Sequence, residues 1–246
     1  MGAMDWHARY TQQARWTAQL RAYLFKKAGL DVACRILDLG CGTGALLEDF
    51  PDKMGIHGLD LSLPAVKQAA SHAPSASLAC ADGASTPFAD AAFDVVFCHF
   101  VLLWVTDPLK IVAEMRRVTR PGGAVLALAE PDYGARIDYP PELVELGRWQ
   151  TESLQRQGAD PLIGRKLAGI FARAGLKQIE TGVLGGEWKN PFPPDQRDLE
   201  WDVLESDLAG IVAPQDIQKM RRLDDRARDC GERVLYVPTF YALGIV

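Results

Sequence analysis

The run Ile36-Leu37-Asp38-Leu39-Gly40-Cys41-Gly42-Thr43-Gly44-Ala45 decides how this chain is read. An apolar, β-rich stretch carrying an acid passes through three glycines at alternate positions and enters the helix-like GALLEDF. Glycine has no Cβ, so the backbone turns sharply there and approaches a ligand closely. Asp60 stands twenty positions beyond Gly40, at the end of the next β-rich run, GIHGLD, where a carboxylate accepts both hydroxyls of a ribose. Asp82 ends the run after that, in ACADGAS, and suits an adenine amino group. Any one of these acids reads equally well as a turn or helix-cap residue. Three at successive strand ends predict a nucleoside site at the carboxyl edge of an α/β sheet.

The flanking sequence supports that sheet. RILDLG is followed by GALLEDF, GIHGLD by LPAVKQAASHA, then come SLACAD, FDVVFCHF, DPLKIVAEMRRV and AVLALAE. Short β-rich runs alternating with helical stretches specify right-handed βαβ units and a mostly parallel sheet. Asp107 is a good N-cap, Pro108 suits the first helical position, and Ile111, Met115 and Val118 share one face until Arg120-Pro121-Gly122-Gly123 ends the helix. Before this core, residues 5–29 read as one or two helices. After Pro131 the alternation breaks into a helical stretch over about 141–175, a strand-like KQIETGVLGGEW, a helical insert over about 195–230 and a closing β-rich run, RVLYVPTFYALGIV. That last strand is expected to pair differently from the first five.

Composition narrows the function. The 246 residues are 48% hydrophobic and 24% charged, with a net charge of -5, so no global basic field draws the chain onto nucleic acid or anionic lipid. Arg116-Arg117 and Arg221-Arg222 sit beside acids and read as solvated helix faces. No apolar run reaches the roughly 18 residues that span a bilayer, and the opening residues lack a signal-peptide pattern, so the expected location is cytoplasmic, with no membrane insertion. The five cysteines are scattered and form no CxxC, and the four histidines show no HxxxH or HExxH spacing, which predicts neither a disulfide framework nor a metal site. Trp6, Tyr10, Trp16, Tyr23, Trp149, Trp188, Phe192 and Trp201 fall outside the alternating core, where they suit either a lid over an apolar ligand or the packing of added helices.

Gly40-Cys41-Gly42-Thr43-Gly44-Ala45 also satisfies the loose G-x-G-x-x-A pattern, which leaves a nicotinamide- or flavin-linked oxidoreductase open. Asp38 favours another ligand, because a carboxylate just ahead of the turn sits badly beside a pyrophosphate and well beside a cationic amino-acid group. On LDLGCGTG, GLDLS, ADGASTPFADAAFDVVFCHFVLLWV and EMRRVTRPGGAVLALAEPD, in order over about residues 35–132, the chain resembles the class I S-adenosylmethionine-dependent methyltransferases, in particular the branch of the ubiquinone and menaquinone C-methyltransferases. The resemblance implies an α/β, Rossmann-like, seven-stranded and mostly parallel sheet in the order 3-2-1-4-5-7-6, with the last strand antiparallel. It also implies one domain over 1–246, made of an N-terminal helical lid (about 5–30), a core (35–185 and 232–246) and a helical insert (about 190–230) before the last strand that caps the substrate.

The same resemblance implies S-adenosyl-L-methionine as cofactor and S-adenosyl-L-homocysteine as product. Gly40, Cys41 and Gly42 would pass under the methionine and ribose, Asp38 would hold the amino group, and Asp60 the ribose hydroxyls. Leu61 would pack on the adenine, Asp82 and Gly83 would meet its edge, Cys98, His99 and Phe100 would border the methyl group, and Tyr10 would belong to the lid. Methyl transfer from a sulfonium is an in-line substitution that needs no dedicated base unless the acceptor must lose a proton. For that case His99 is the expected catalytic residue, ahead of Glu130, Asp132 and Tyr133. The acceptor is expected to be a small, apolar or aromatic metabolite. A protein that binds the same cofactor without catalysis remains the alternative.

Overall fold

Four consecutive residues of β1 (Arg35–Leu39), Ile36 to Leu39, are buried. An unalternating run of this kind belongs to a parallel strand covered on both faces. The computed structural model describes residues 5–31, 34–51, 54–185 and 194–246, so Trp188 and Phe192 lie outside the described residues. β2 (Gly55–Asp60) and β4 (Phe93–Cys98) flank β1 in parallel, β3 (Ser77–Cys80) lies beyond β2, and β5 (Thr119–Pro131) beyond β4. β6 (Ile137–Tyr139) leaves the sheet. β7 (Lys177–Leu184) forms the far edge, and after the short β8 (Val234–Tyr236), β9 (Thr239–Ile245) is inserted between β5 and β7, antiparallel to both. Numbered within this sheet alone, the order is the expected 3-2-1-4-5-7-6.

The helices are α1 (Trp6–Trp16), α2 (Ala18–Lys27), α3 (Leu63–His72), α4 (Pro108–Val118), α5 (Val144–Arg156), α6 (Leu167–Arg173), α7 (Pro194–Leu208) and α8 (Pro214–Asp229). In α4 the Asp107 carboxylate accepts the Lys110 N–H at 3.0 Å, and Ile111, Val112, Met115 and Val118 are buried. Alternate residues of each strand feed two cores. Leu37, Leu39, Val96 and Val125 meet α4 and α6 on one face, while Ile36, Val95, Phe97 and Leu126 meet Leu24 of α2 on the other. Each such side chain, fully buried, contributes about 1.5–3 kcal/mol. A third core, independent of the sheet, joins Trp201, Leu204 and Leu208 of α7 to Ile217 and Met220 of α8 and to Leu143 and Leu146.

Three local expectations change. GALLEDF forms only a 3-10 turn at Leu47–Asp49, because Gly44 is left-handed (φ +86°) and Pro51 disfavours helix at Phe50. β5 begins at Thr119, so Pro121-Gly122-Gly123 lies inside the strand as a shift of register between Phe93 and Val95 of its partner rather than before it. The closing β-rich run divides at Val237-Pro238. Its first piece, β8, pairs with β6 in a separate two-stranded sheet, and its second, β9, enters the main one.

Candidate functional site

β1 delivers the chain to a turn in which Gly40, Gly42 and Gly44 all take positive φ, at +82°, +54° and +86°. The Gly40 and Cys41 N–H groups donate to the Leu59 carbonyl at 2.7 and 3.0 Å. The Gly42 N–H donates to Asp60 Oδ2 at 2.9 Å, and the Ser62 N–H to Asp60 Oδ1 at 2.8 Å. Asp60 therefore clamps the glycine turn to the end of β2. A Cβ on Gly40 would lie 2.4 Å from Val101 Cγ2, and one on Gly42 3.2 Å from Tyr10 Cε2. Tyr10 of α1 lies across the turn. Burial, with Asp60 second, raises its phenol above the usual range.

Asp38 is 2% exposed, and its carboxyl hydrogen-bonds to none of the described residues. Burial first and Asp60 second push it up to about 8, with Arg21 opposing. Cys41, beneath the turn, has its thiol pushed up by burial and by the same two acids. Leu61 is 74% exposed beside Asp60, a large apolar side chain presented to solvent at the strand end. The adjacent end of β3 brings Asp82 and Gly83 alongside, the Ala81 N–H donating to the Asp60 carbonyl at 3.1 Å. Asp82 Oδ1 closes its own turn by accepting the Ala84 N–H at 2.8 Å, and Gly83 packs on Leu39.

At the end of β4 the Cys98 thiol is fully buried and raised by that burial, with Glu130 and Asp38 adding to it. Phe100 adopts a left-handed φ of +55° and donates its N–H to the Ala129 carbonyl at 2.9 Å. The chain then turns so that Glu130 Oε1 accepts from Val101 and Leu102 at 3.0 and 2.9 Å, and Oε2 from Leu103 at 3.2 Å. Burial pushes Glu130 up to about 7 against those three bonds. Asp132 likewise spends both oxygens, on Arg165 and on the Gly134 N–H. Tyr133 is raised by burial, with Arg136 and Arg9 opposing. These two carboxylates hold loops; neither is free to take a proton from a ligand.

His99 differs from its expected role. Its Nε2 is 2.9 Å from Thr17 Oγ1, which also accepts from Arg21 at 2.8 Å. Burial, with Arg21 second, lowers the imidazole to about 3. A group with so low a pKa is a weak base, so the general-base role does not follow from its surroundings. His99 joins the N-terminal helices to the end of β4. Sequence reasoning missed Thr17, Arg21 and Val101, because nothing in a helical Ala-Gln-Leu-Arg or a loop valine marks contact with a site.

Residues 37–127 match a methyltransferase domain family. Over 126 residues the chain is 35% identical to a demethylmenaquinone methyltransferase of Renibacterium salmoninarum, covering 50% of this chain and 52% of that one. Over 117 residues it is 34% identical to a malonyl-[acyl-carrier protein] O-methyltransferase of Pseudescherichia vulneris, covering 47% of each. The chain spans about half the length of the curated relatives it matches. The structure of Haemonchus contortus phosphoethanolamine N-methyltransferase 2, solved with phosphomonomethylethanolamine and S-adenosylhomocysteine, shares the fold, with a TM-score of 0.60 at 17% identity over 96% of this chain and 56% of that one. Sheet order and glycine turn together define a Rossmann-like fold, shared with solved methyltransferase structures. Over residues 37–127, about a third of its length, the chain is similar to a methyltransferase domain.

Proposed function

We propose that the chain binds S-adenosylmethionine at the glycine turn and transfers its methyl group to a small apolar or aromatic acceptor. Asp38 carries this reading. A carboxyl buried to 2%, with no hydrogen-bond partner among the described residues and Asp60 beside it, is costly to ionise unless a cation joins it. The ammonium of the donor is such a cation, which a pyrophosphate is not. The donor supplies a methyl group already activated on a sulfonium, so the protein's task is alignment. Asp60, fixed by two backbone N–H groups, takes the ribose hydroxyls. Leu61 covers the adenine, Asp82 and Gly83 meet its edge, the bare backbone of Gly40 to Gly42 passes beneath the methionine, and Tyr10 closes above it. Cys98 and Phe100 border the methyl group, with His99 as a neutral wall.

The acceptor is read by the lid and cap. Gln12 of α1 donates to the Gln196 carbonyl of α7 at 3.4 Å, which joins them beyond the donor. The matched proteins are named for a quinone precursor, a carrier-bound malonyl group and an amine, so their names differ on the acceptor side. No helix among the described residues is long and apolar enough to cross a membrane.

Calorimetry with S-adenosylhomocysteine near pH 7, in two buffers of different ionisation enthalpy, tests the reading. Asp38 starts largely protonated and ionises opposite the ammonium, so binding releases a proton. Asp38→Asn abolishes that release and weakens binding more than about tenfold, roughly 1.4 kcal/mol. Unchanged affinity in the variant, or binding of NAD in place of S-adenosylhomocysteine, overturns the proposal.

A further inference from the structure

The fold gathers His7 from the first turn of α1, Glu48 from the 3-10 turn after the glycines and His72 from the last turn of α3. One ligand atom of each lies within 4.8 Å of the others. The His7 and His72 rings stack with centroids 3.4 Å apart and planes 8° from parallel. His7 Nε2 faces Glu48 Oε1 at 3.6 Å, close to the roughly 3.3 Å that separates two ligands on a tetrahedral ion with bonds near 2.0 Å. The other ring nitrogen, Nδ1, meets buried Thr43 Oγ1 at 2.9 Å. When Nδ1–H donates to that hydroxyl, the Nε2 lone pair points at a carboxylate, an arrangement that repels until a cation lies between them. In that tautomer the hydroxyl takes the place of the outer partners that orient metal-bound histidines. A surface cavity of about 340 Å³ opens on the two histidines and on Asp5.

We propose that His7, Glu48 and His72 bind one divalent ion of the zinc class, completed by water, and that the ion clasps α1 to the glycine turn. Two imidazoles with one carboxylate select a borderline ion such as Zn²⁺ or Co²⁺ over Ca²⁺ or Mg²⁺. His72 is exposed, and turning its ring out of the stack would bring its nitrogen to the same ion. The clasp acts through α1: His7 rests on Thr43, and three residues on, along the same face, Tyr10 rests on Gly42. An ion shared with Glu48 and His72 therefore holds the helix that covers the turn. Histidine and carboxylate spacing along the chain predicts no metal; these ligands come from three separate elements and meet only in the fold.

The test is calorimetric titration of the chelator-treated full chain with ZnCl2 near pH 7, repeated with CoCl2 and its absorption spectrum, on wild type and His72→Ala. One equivalent is expected to bind wild type, with affinity reduced more than about tenfold in the variant. Amide hydrogen exchange across α1 is expected to slow with Zn²⁺ in wild type alone. Absence of binding, or binding that the variant retains at a scattered thiol such as Cys80 or Cys230, overturns the site. Binding that leaves exchange in α1 unchanged overturns the clasp. Neither readout uses S-adenosylmethionine, so the outcome is independent of the proposed activity.

Discussion

At the scale of single residues, burial sets the chemistry of this site. His99 illustrates it with a sign that can be worked out. Its pKa falls from 6.5 to about 3 in the native state. The unfolded chain therefore takes up a proton below about pH 6.5 while the native state does not, so acid erodes stability through this residue by about 1.4 kcal/mol per pH unit. Between pH 6.5 and pH 5 that amounts to about 2 kcal/mol. Asp38 and Glu130 act in the opposite direction, since their raised pKa values favour the native state as pH falls, but they do so equally in a variant lacking only the imidazole. In denaturant unfolding, wild type should lose about 2 kcal/mol relative to His99→Asn over that interval. Parallel profiles would show that His99 titrates normally.

At the scale of elements, the loop after β4 depends on one carboxylate. Glu130→Gln keeps one carbonyl oxygen for Val101 and Leu102 and turns an amide NH2 toward the Leu103 N–H, donor against donor. The cost is about 1–3 kcal/mol, and hydrogen exchange of Val101 to Leu103 should quicken more than that of the sheet. Glu130 also shows where sequence reading stops. β1 and β4 were legible because burial on both faces leaves mostly apolar runs, each broken by one acid, and α4 because its cap, its proline and its apolar stripe agree. The acids at the strand ends were legible as types at positions. What Glu130 holds was not, since a glutamate ending a strand reads the same whether it faces a substrate or three backbone N–H groups. The division of the closing β run was equally hidden: Pro238 marks a break, but the partners of β8 and β9 are distant in sequence.

At the scale of the whole molecule, the helical pair α7 and α8, proposed as the cap, is held by its own core and by a chain of buried ions. Asp224 accepts from Trp201 Nε1 at 3.0 Å, Arg228 Nε at 2.7 Å and Arg233 Nε at 2.6 Å, and Arg233 continues to Asp138 at 2.8 Å. Asp138 also receives Arg136 at 2.6 Å. Removing one member of such a network leaves buried charge uncompensated, at a cost of about 3–5 kcal/mol. Asp224→Asn should lower the thermal midpoint and loosen α7 and α8, while S-adenosylhomocysteine affinity stays within about twofold of wild type, because the residues proposed to hold the donor, apart from Tyr10 of α1, lie at the strand ends of the sheet. A parallel loss of donor affinity would mean that cap and sheet are one cooperative unit.

The placement of β9 bears on how the chain comes off the ribosome. Its partners, β5 and β7, both precede it, yet it lies between them. Until it emerges, each presents a raw edge of unpaired backbone groups, the surface on which strands of different molecules join. The half of the sheet that carries the glycine turn can form early, but the opposite half must wait. During synthesis the nascent protein is therefore most exposed to misassociation after the half that carries the glycine turn has taken shape.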